Sequence, residues 1–389
     1  MQGLLIDVSR LFRRACRQQS PTGIDRVLLA YLQHYKQRAQ LLLRFGQFAF
    51  ILSEQASRQA SSLLLSWHPK IFWPFIGLLI KDSFRSEAKQ SLKNIILLKI
   101  DYSGLHYEGL YHTLKRHGMK LIFMVHDLIP FENPEFFPTT KAQKYQRILS
   151  FIMNNATGIV TNSQTTTNSL INHIPNLKLL PYLISASLAP GITSSTPPRQ
   201  ERPIKENYFL IVGTIQRRKN HLFLLKLWLK LIERHGIDTP KLVLIGERGY
   251  LCKQTLALLD NCDLIKKFII EHPANDEDLL TYLHHAQALL LPSLAEGYGL
   301  PLIEALSAGT PVIANNLSVF HEIAGDIPDF IPVQNAQQWL ACIENYMLAN
   351  STLRAIQLQR ISQFSIPNWQ THFIKVEPFL HMLRALDPT

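Results

Sequence analysis

The chain has 389 residues, of which 47% are hydrophobic and only 18% charged, so it can bury the cores of two domains and intrinsic disorder is not expected. Three kinds of anionic partner would account for its formal net charge of +11: nucleic acid, an anionic membrane surface or a phosphorylated small molecule. Because the basic residues are scattered and no nucleic-acid-binding motif occurs, nucleic acid is the weakest of the three.

Neither the cysteines nor the N-terminal residues indicate secretion. The cysteines lack both metal-ligand spacing and the density of a disulfide framework, which is typical of reduced cytosolic thiols; they are Cys16, Cys252, Cys262 and Cys342. Residues 1–11 lack the features of a signal peptide, and no apolar run approaches the ~20 residues that cross a bilayer. We therefore expect a cytoplasmic protein, with peripheral attachment to the inner face of the cell membrane as an open alternative.

Apolar strand-like runs alternate with helical patterns throughout the chain, which predicts an α/β fold with parallel sheets. In the N-terminal half, strands are predicted over 4–8, 95–100, 121–125 and 158–161, and a helix over 25–35. The loop before that helix contains Gly23, which permits close approach of a phosphate to the helix N-terminus. The nearby Arg26 is either an ion-pair partner or a ligand.

An aromatic segment, WHPKIFWPFIGLLI, occupies residues 67–80. It is interrupted by Pro69 and Pro74 and bracketed by Lys70 and Lys81. Two interpretations stay open: a segment of the core, or an interfacial segment that rests on lipid headgroups.

His126 and Asp127 follow the predicted strand 121–125. A histidine at the carboxyl end of a strand can hydrogen-bond sugar hydroxyls or the charge that develops at a reacting carbon. Asp127 is a candidate to orient the histidine or to contact an acceptor. The alternative is a histidine with a purely structural role.

The composition shifts to Ser, Thr, Pro and Gly between residues 185 and 203, which is typical of a linker. We place the first domain at 1–190, the linker at 191–205, the second domain at 206–367 and C-terminal helices at 368–389. In the second domain, strands are predicted over 208–212, 242–245, 268–270, 288–291 and 311–314, and a helix over 221–235. Two doubly wound domains of this kind place a ligand in the cleft between them, outside the carboxyl ends of the strands.

The loop GTIQRRKN, residues 213–220, lies between a predicted strand and a predicted helix. It begins with Gly213, and its adjacent cations, Arg218 and Lys219, can neutralise a diphosphate and stabilise it as a leaving group. The alternative is a solvated basic turn.

The stretch LPSLAEGYGLPLIE, residues 291–304, carries the strongest signal. A strand leads into Glu296, then Gly297, Tyr298, Gly299 and Leu300, and a helix whose first turn holds Pro301. Glycines here let backbone amides approach a ligand, while Glu296 in the loop and Glu304 in the helix can hold two hydroxyl-bearing parts of one ligand. The alternative is that Glu296 caps the helix and Glu304 lies on its solvated face.

This stretch resembles the Glu-x7-Glu motif of retaining GT-B glycosyltransferases of family 4. The loop 213–220 is similar to their G-x-x-x-x-R-K-N loop, although Thr214 stands where some relatives have arginine. HDLIPFENPEFF resembles the segment that carries the active-site histidine in bacterial polysaccharide mannosyltransferases, and DVSRLF…TGIDRV resembles the opening of that group. The resemblance covers almost the whole chain and is weakest over residues 48–92.

The resemblance implies a GT-B fold, in which two doubly wound Rossmann-like domains face each other across a cleft and the C-terminal helices return to the first, acceptor-side domain. It implies that Glu296 contacts the donor hexose and Glu304 the nucleotide ribose, and that the amides of residues 298–300 bind hexose hydroxyls and diphosphate. His126, Asp127 and Glu296 are the expected catalytic residues. The donor diphosphate is expected at Gly213, Arg218 and Lys219, with Gly23 facing it.

The implied reaction is retaining transfer of a hexose, with mannose from GDP-mannose the best guess, without a metal or another cofactor. The implied acceptor is a polyprenyl-diphosphate-linked or growing glycan of a capsule, O-antigen or exopolysaccharide. Two alternatives are a catalytically silent scaffold subunit of a polysaccharide assembly complex and an enzyme of the same fold with other chemistry, a nucleotide-sugar epimerase or a glycogen-phosphorylase-like enzyme. Release of nucleotide from the donor would distinguish the enzyme from the scaffold.

Overall fold

The computed structural model describes residues 3–67, 71–83, 92–173, 180–191, 199–273 and 276–386. Residues 68–70 of the aromatic segment and residues 192–198 of the predicted linker lie outside this set. The chain forms two compact units, each built from separated segments. The first unit comprises Met1–Leu128, Gln143–Leu188 and Trp369–Thr389, and the second comprises Ile129–Ala142 and Ala189–Asn368.

A sheet of seven strands forms the first unit within the described residues. Its strands are β1 (Leu4–Asp7), β2 (Gln40–Phe45), β3 (Phe48–Ile51), β4 (Ile96–Lys99), β5 (Lys120–Val125), β6 (Gly158–Thr161) and β7 (Tyr182–Ser185). Their order is β3-β2-β1-β4-β5-β6-β7, and all neighbours are parallel except the antiparallel edge pair β2 and β3. Every residue of β1, β4, β5 and β6 is buried, as expected for parallel strands covered on both faces.

Eight helices precede the second sheet in the described part of the chain. They are α1 (Ser9–Cys16), α2 (Gly23–Tyr35), α3 (Glu54–Ser66), α4 (Phe72–Ser83), α5 (Glu108–Arg116), α6 (Ile129–Glu132), α7 (Thr139–Asn155) and α8 (Gln164–Asn172). Helix α2 begins with a capping box between Thr22 and Asp25. Helix α6 and the start of α7 belong to the second unit.

The second unit contains a parallel sheet of six strands in its described part. The strands are β8 (Tyr208–Val212), β9 (Lys241–Ile245), β10 (Ile269–His272), β11 (Leu289–Leu291), β12 (Val312–Ala314) and β13 (Asp329–Phe330), in the order β10-β9-β8-β11-β12-β13. Its helices are α9 (His221–His235), α10 (Lys253–Asn261), α11 (Asp263–Phe268), α12 (Asp276–His285), α13 (Leu300–Ser307), α14 (Ser318–Ala324), α15 (Ala336–Met347) and α16 (Thr352–Ser362). The core lies on both faces of the sheet, with Trp228 and Trp339 on one and Tyr282 and Phe320 on the other.

The final helix, α17 (Trp369–Ala385), packs on the first unit rather than on the second. The ammonium of Lys120 donates to the carbonyls of Leu383 at 2.8 Å and Arg384 at 3.0 Å. These bonds satisfy carbonyl groups at the end of α17 that have no partner within the helix. A side chain at Gly158 would collide with Leu383, so β6 and α17 are in close contact.

Two doubly wound α/β sheets confirm the predicted fold class. The predicted strands and the helices 25–35 and 221–235 are present with shifts of one or two residues at their ends, whereas β2, β3, β7 and β13 were not predicted. In the aromatic segment, α4 buries Phe75 in the core and leaves Trp73 77% exposed, and the interfacial interpretation stays a prediction. None of the helices in the described part of the chain is long and apolar enough to cross a membrane.

His372 on α17 is 1% exposed and fixed at both ring nitrogens. Nδ1 donates to the carbonyl of Ser187 at 3.0 Å, so in the neutral ring Nε2 accepts from the Tyr31 hydroxyl at 2.8 Å. Burial lowers the pKa of His372 to about 4, and the hydrogen bonds to Ser187 and Ala186 offset this only in part. The folded protein therefore holds this ring neutral over a pH range in which the unfolded chain protonates it.

We expect acid to destabilise the first unit through His372. In the unfolded chain a histidine titrates near pH 6.5, so stability is complete above that pH and falls as the pH drops towards about 4. Each pKa unit corresponds to about 1.4 kcal/mol, which places the loss at roughly 3 kcal/mol. Urea unfolding at several pH values would show a shallower slope over this range for His372→Gln than for the unsubstituted chain. Equal slopes would contradict the assignment.

Candidate functional site

The order of the second sheet reverses between β8 and β11, which lie side by side and parallel. In doubly wound sheets, ligands bind at this point, outside the carboxyl ends of the strands. The loop 213–220 follows β8 and the loop 292–299 follows β11. The topology therefore brings the two strongest motifs of the sequence together.

Hydrogen bonds join these two loops directly. The amide of Leu294 donates to the carbonyl of Arg218 at 2.7 Å, and Asn220 Nδ2 donates to the carbonyl of Pro292 at 3.3 Å. Asn220 has the left-handed backbone conformation (φ 58°), which asparagine tolerates better than most residues. Gly213 has φ 135°, and a Cβ there would lie 3.2 Å from Lys219 Cε, so a larger residue would crowd the lysine.

At the centre of the site, one carboxylate binds two cations. Glu296 Oε1 accepts from Lys219 Nζ at 2.5 Å and from Ser293 Oγ at 2.7 Å, and Oε2 accepts from Arg218 Nη1 at 2.9 Å. Arg218 Nη1 also donates to the carbonyl of Ala295 at 3.1 Å. The side chains of Glu296 and Lys219 are only 6% and 9% exposed, so water screens their attraction weakly.

The charges in this cluster shift one another's titration. Burial raises the pKa of Glu296, but Lys219 and then Arg218 outweigh it and lower the pKa to about 2. Burial lowers the pKa of Lys219, an effect that Glu296 opposes and Arg218 reinforces. Next to them, burial and then the charge of Lys219 lower the pKa of His221 to about 3. His221 is therefore a neutral ring, and the formal charge of the cluster is +1 from two cations and one carboxylate.

Helix α13 begins at Leu300, directly after Gly299. Gly299 has φ 106°, and a Cβ there would lie 2.8 Å from the ring of Phe320, so glycine is required on both counts. Tyr298 is buried, and Gly297 is half-buried in the loop between Glu296 and Tyr298. Glu304 is buried within α13, and its Oε1 accepts from the amide of Gly191 at 3.2 Å.

The structure excludes the purely structural alternative for each of the two loops. Lys219 is buried, so loop 213–220 is not simply a solvated basic turn. Gly299, not Glu296, occupies the N-cap of α13, and Glu304 does not lie on a solvated face. The second unit thus collects Gly213, Arg218, Lys219 and residues 296–300 with Glu304.

His126 and Asp127 lie at the end of β5 in the first unit. His126 is buried, and its Nε2 donates to the carbonyl of Ile100 at 2.7 Å, which leaves Nδ1 as an acceptor in the neutral ring. Burial lowers the pKa of His126, so the ring is neutral at physiological pH. Its carbonyl accepts from Asn162 at 2.8 Å, and the Tyr145 hydroxyl donates to the carbonyl of Asp127.

Gly23 is the first residue of α2, also in the first unit. The carboxylate of Asp25 pairs with Arg10 Nε at 2.6 Å and Arg14 Nε at 3.0 Å. Arg10 also donates to Thr22 Oγ1 at 3.2 Å, which ties α1 to the start of α2. The loop before α2 is therefore held by ion pairs that the sequence did not reveal.

The first sheet reverses its order at β1 and β4, and a buried ion cluster fills that point. Lys99 Nζ lies 3.0 Å from Asp7 Oδ2 and 3.0 Å from Asp101 Oδ2. All three side chains are buried, and Ser9 donates to the other oxygen of Asp7. Lys99 therefore finds its counter-charges within the protein.

The sequence did not predict several residues of the second unit's site. Ser293, Gly191 and His221 lie beside the predicted residues in the chain or in space, but serine and glycine are too common to stand out. Gln216 contacts both Arg218 and Tyr250 and so extends the cluster. The run RRKNH did contain a signal for His221, because it directly follows the predicted basic loop.

A comparison with protein families matches residues 194–357 to the model described as Glycosyl transferases group 1. We refer to these matched residues as the group 1 domain. Both loops of the site lie inside this group 1 domain, whereas His126, Asp127 and Gly23 precede it.

Similar curated proteins include O-antigen mannosyltransferases. The chain is 26% identical over 228 residues to the O-antigen chain mannosyltransferase RfbU of Salmonella typhimurium, covering 57% of this chain and 59% of that protein. It is 25% identical over 381 residues to the serotype-specific mannosyltransferase WbdA of Escherichia coli, covering 88% of this chain and 42% of that protein. The chain thus spans about half the length of the curated relatives it matches.

Solved structures extend the likeness beyond the group 1 domain. Sucrose-phosphate synthase from Thermosynechococcus elongatus aligns over 99% of this chain and 100% of its own, with a TM-score of 0.63 and 17% identity. Anabaena HepE, in complex with UDP and glucose, aligns over 99% and 100%, with a TM-score of 0.62 and 14% identity. These likenesses, together with the two parallel sheets, show a GT-B fold.

Glu296 neutralises the cations that an incoming anion would need, so Glu296→Gln should raise the affinity for pyrophosphate. The expected gain in affinity is about tenfold. A charge-assisted hydrogen bond contributes ~1.5–3 kcal/mol, and part of that is lost because pyrophosphate must still replace the contacts of the glutamine. Isothermal titration calorimetry with pyrophosphate measures it. Glu247→Gln is the matched control, because Glu247 is exposed in the neighbouring loop. Unchanged or weaker binding in Glu296→Gln would mean that the carboxylate does not compete with anions.

Proposed function

We propose that the protein is a retaining glycosyltransferase that moves a hexose from a nucleotide-diphosphate sugar to a glycan acceptor. The acceptor is lipid-linked or a growing chain of a surface polysaccharide. Mannose from GDP-mannose is the proposed donor, since the relatives RfbU and WbdA carry the name of mannosyltransferases. The reaction uses neither a metal nor another cofactor.

One observation carries this proposal: Arg218, Lys219, Glu296 and Glu304 converge beside the point where the second sheet reverses its order. Two cations suit a diphosphate, and two buried carboxylates suit hydroxyl groups on either side of it. Buried carboxylates that accept hydrogen bonds from sugar hydroxyls discriminate strongly against ligands that lack those hydroxyls. A nucleotide-diphosphate sugar presents this sequence of groups: ribose, diphosphate, hexose.

In the proposed reaction, the bond between C1 of the hexose and the diphosphate oxygen breaks. A bond forms between C1 and the acceptor oxygen on the same face of the sugar, and the acceptor proton passes to the departing diphosphate. Arg218 and Lys219 stabilise the negative charge that grows on the diphosphate. No nucleophile from the protein takes part.

The remaining residues have proposed roles in binding. Glu296 accepts from hexose hydroxyls and Glu304 from the ribose, while the amides at the start of α13 face the diphosphate. His126, with Nδ1 as an acceptor, receives a hydrogen bond from a sugar hydroxyl. Asp127 contacts the acceptor, and Gly23 faces the diphosphate.

Substitution of Lys219 tests the proposal together with a turnover assay. Lys219→Ala should weaken binding of a nucleoside diphosphate at least tenfold, because it removes a charge-assisted contact of ~1.5–3 kcal/mol, and should leave the bare nucleoside nearly unaffected. Lys253→Ala, at an exposed lysine of α10, is the control. Calorimetry across GDP, UDP and ADP identifies the nucleotide, and release of nucleotide from the matching sugar donor measures turnover.

Two outcomes would overturn parts of the proposal. Equal losses for nucleoside and nucleoside diphosphate would place Lys219 away from the phosphates. Nucleotide binding without any release from sugar donors, at any protein concentration, would favour a catalytically silent subunit that scaffolds polysaccharide assembly.

We also propose that the first unit attaches peripherally to an anionic membrane at the inner face of the cell. Five exposed rings form an aromatic surface on the β2–β3 hairpin and on α4: Phe45, Phe48, Phe50, Phe72 and Trp73. Phe12 joins its two parts, with ring centroids 6.3 Å from Phe45 and 4.4 Å from the buried Phe75 of α4. A groove of about 650 Å³ between α3 and α4 carries the cations Arg58 and Lys81. Exposed rings together with cations on the same unit suit the interface of an anionic bilayer.

Binding to anionic vesicles should have two separable parts. Cations attract the surface over ~8 Å at physiological salt, so added salt should remove most binding, while inserted rings leave a salt-resistant remainder. Co-sedimentation across a salt series should show that replacing Phe48, Phe50 and Trp73 with serine abolishes this remainder. Serine at Ile237, Leu264 and Leu353, exposed apolar residues of the second unit, is the matched control. No sedimentation at low salt would contradict membrane attachment.

A further inference from the structure

The segment Ile129–Ala142 leaves the first sheet after β5 and belongs to the second unit. It meets the group 1 domain at the basic loop and at Tyr250. Arg217 Nη1 donates to the carbonyl of Glu135 at 3.3 Å, and the rings of Phe137 and Tyr250 lie 6.1 Å apart. Lys141 Nζ lies 4.1 Å from the centroid of the Tyr250 ring, a cation–π contact.

Tyr250 is connected to the ion cluster through Gln216, which is 8% exposed. Its hydrogen-bond partners fix the orientation of the amide. The amide oxygen accepts from Arg218 Nη2 at 3.2 Å and Nε at 3.0 Å, and the amide nitrogen donates to the Tyr250 hydroxyl at 3.1 Å. The opposite orientation would turn the amide nitrogen towards the guanidinium, donor against donor.

Gln216 therefore holds one edge of the Arg218 guanidinium, while Glu296 and the carbonyl of Ala295 hold Nη1. A guanidinium is planar, so contacts on two sides fix its plane. When a diphosphate displaces Glu296, Gln216 and Ala295 remain as partners. The orientation of Arg218 thus persists through the exchange, which lowers the entropic cost of binding the anion.

We propose that Gln216 and Tyr250 are positioning residues that orient Arg218 towards the donor diphosphate, and that Lys141 of the segment 129–142 supports Tyr250 in this role. This inference rests on the proposed function, in which Arg218 binds the diphosphate. The Tyr250 hydroxyl accepts from the amide nitrogen and anchors the Gln216 side chain where its oxygen meets Arg218. Removal of the hydroxyl takes away this anchor, so the amide oxygen is held less firmly against Arg218.

Calorimetry with a nucleoside diphosphate and the matching nucleoside tests the chain of contacts. Gln216→Met keeps the length of the side chain but removes the acceptor, and should weaken diphosphate binding roughly fivefold to tenfold, the range of one lost hydrogen bond. Tyr250→Phe should cost about twofold to fivefold on the same grounds. Neither should change nucleoside binding. Gln359→Met, at an exposed position of α16, is the matched control.

A double substitution separates positioning from packing. A carboxylate pairs with the Arg218 guanidinium through its charge, so in the Gln216→Glu variant the side chain stays against Arg218 without an anchoring hydrogen bond to tyrosine. Tyr250→Phe should therefore lower diphosphate affinity in the unsubstituted chain but not in the Gln216→Glu variant. Lys141→Met should cause a smaller loss of diphosphate affinity, and only in the chain that keeps Gln216. Thermal unfolding of each variant checks that it folds.

The outcomes are distinguishable from failure of the proposed function. If the unsubstituted chain binds no nucleoside diphosphate, the donor site itself is wrong. If it binds, and Gln216→Met binds equally well, Gln216 does not position Arg218. If Tyr250→Phe costs the same in both backgrounds, Tyr250 acts by packing and the inference about its hydroxyl is overturned.

Discussion

The pairing of Glu296 with Arg218 and Lys219 is the contact around which the second unit is arranged. Two cations at the end of β8 would repel each other in a site of low dielectric, and a carboxylate from the end of β11 removes that repulsion. The same contact fixes the two loops against each other. Any anion that enters must exchange with Glu296, so the affinity of the site for phosphate is set by a competition inside the protein.

The two sheets differ in the charges that lie at the point where the strand order reverses. In the first sheet, Lys99 bridges Asp7 and Asp101 at the reversal point, and Arg44 Nε lies 4.0 Å from Asp7 Oδ2, so four buried charges sum to zero. In the second, two cations share one carboxylate, which leaves the cluster positive. Removal of one partner from a fully paired buried cluster is costly, so the first cluster suits a permanent support. An excess positive charge suits a site that exchanges ligands.

Much of this organisation was predictable from the sequence because it depends on local patterns. Buried parallel strands such as β8 are continuous apolar runs, and the spacing of Glu296 and Glu304 with Gly299 between them is a local motif. Contacts between residues that are far apart in the sequence produce no local pattern from which they could be predicted. The bond between Gly191 and Glu304, the carbonyl of Glu135 beside Arg217, and the ion pairs of Asp25 each join residues whose types are common in loops and helices. The strand β3 escaped prediction because its alternate residues, Phe48 and Phe50, point to the solvent side of an edge.

The docking of α17 on the first unit constrains how the chain matures as it emerges from the ribosome. The sheet β1–β7 is complete once residue 185 has been made, but the carbonyls that receive the Lys120 ammonium and the ring that receives the Tyr31 hydroxyl belong to residues beyond 368. Until then, Lys120 and the surface around Gly158 lack the contacts that α17 makes with them. The second unit needs residues 129–142, which are made early, and can therefore close first. The second unit can thus be completed before the first, the reverse of the usual folding order in which the N-terminal domain precedes the C-terminal one. Until α17 is made, the nascent chain exposes the apolar face that this helix covers.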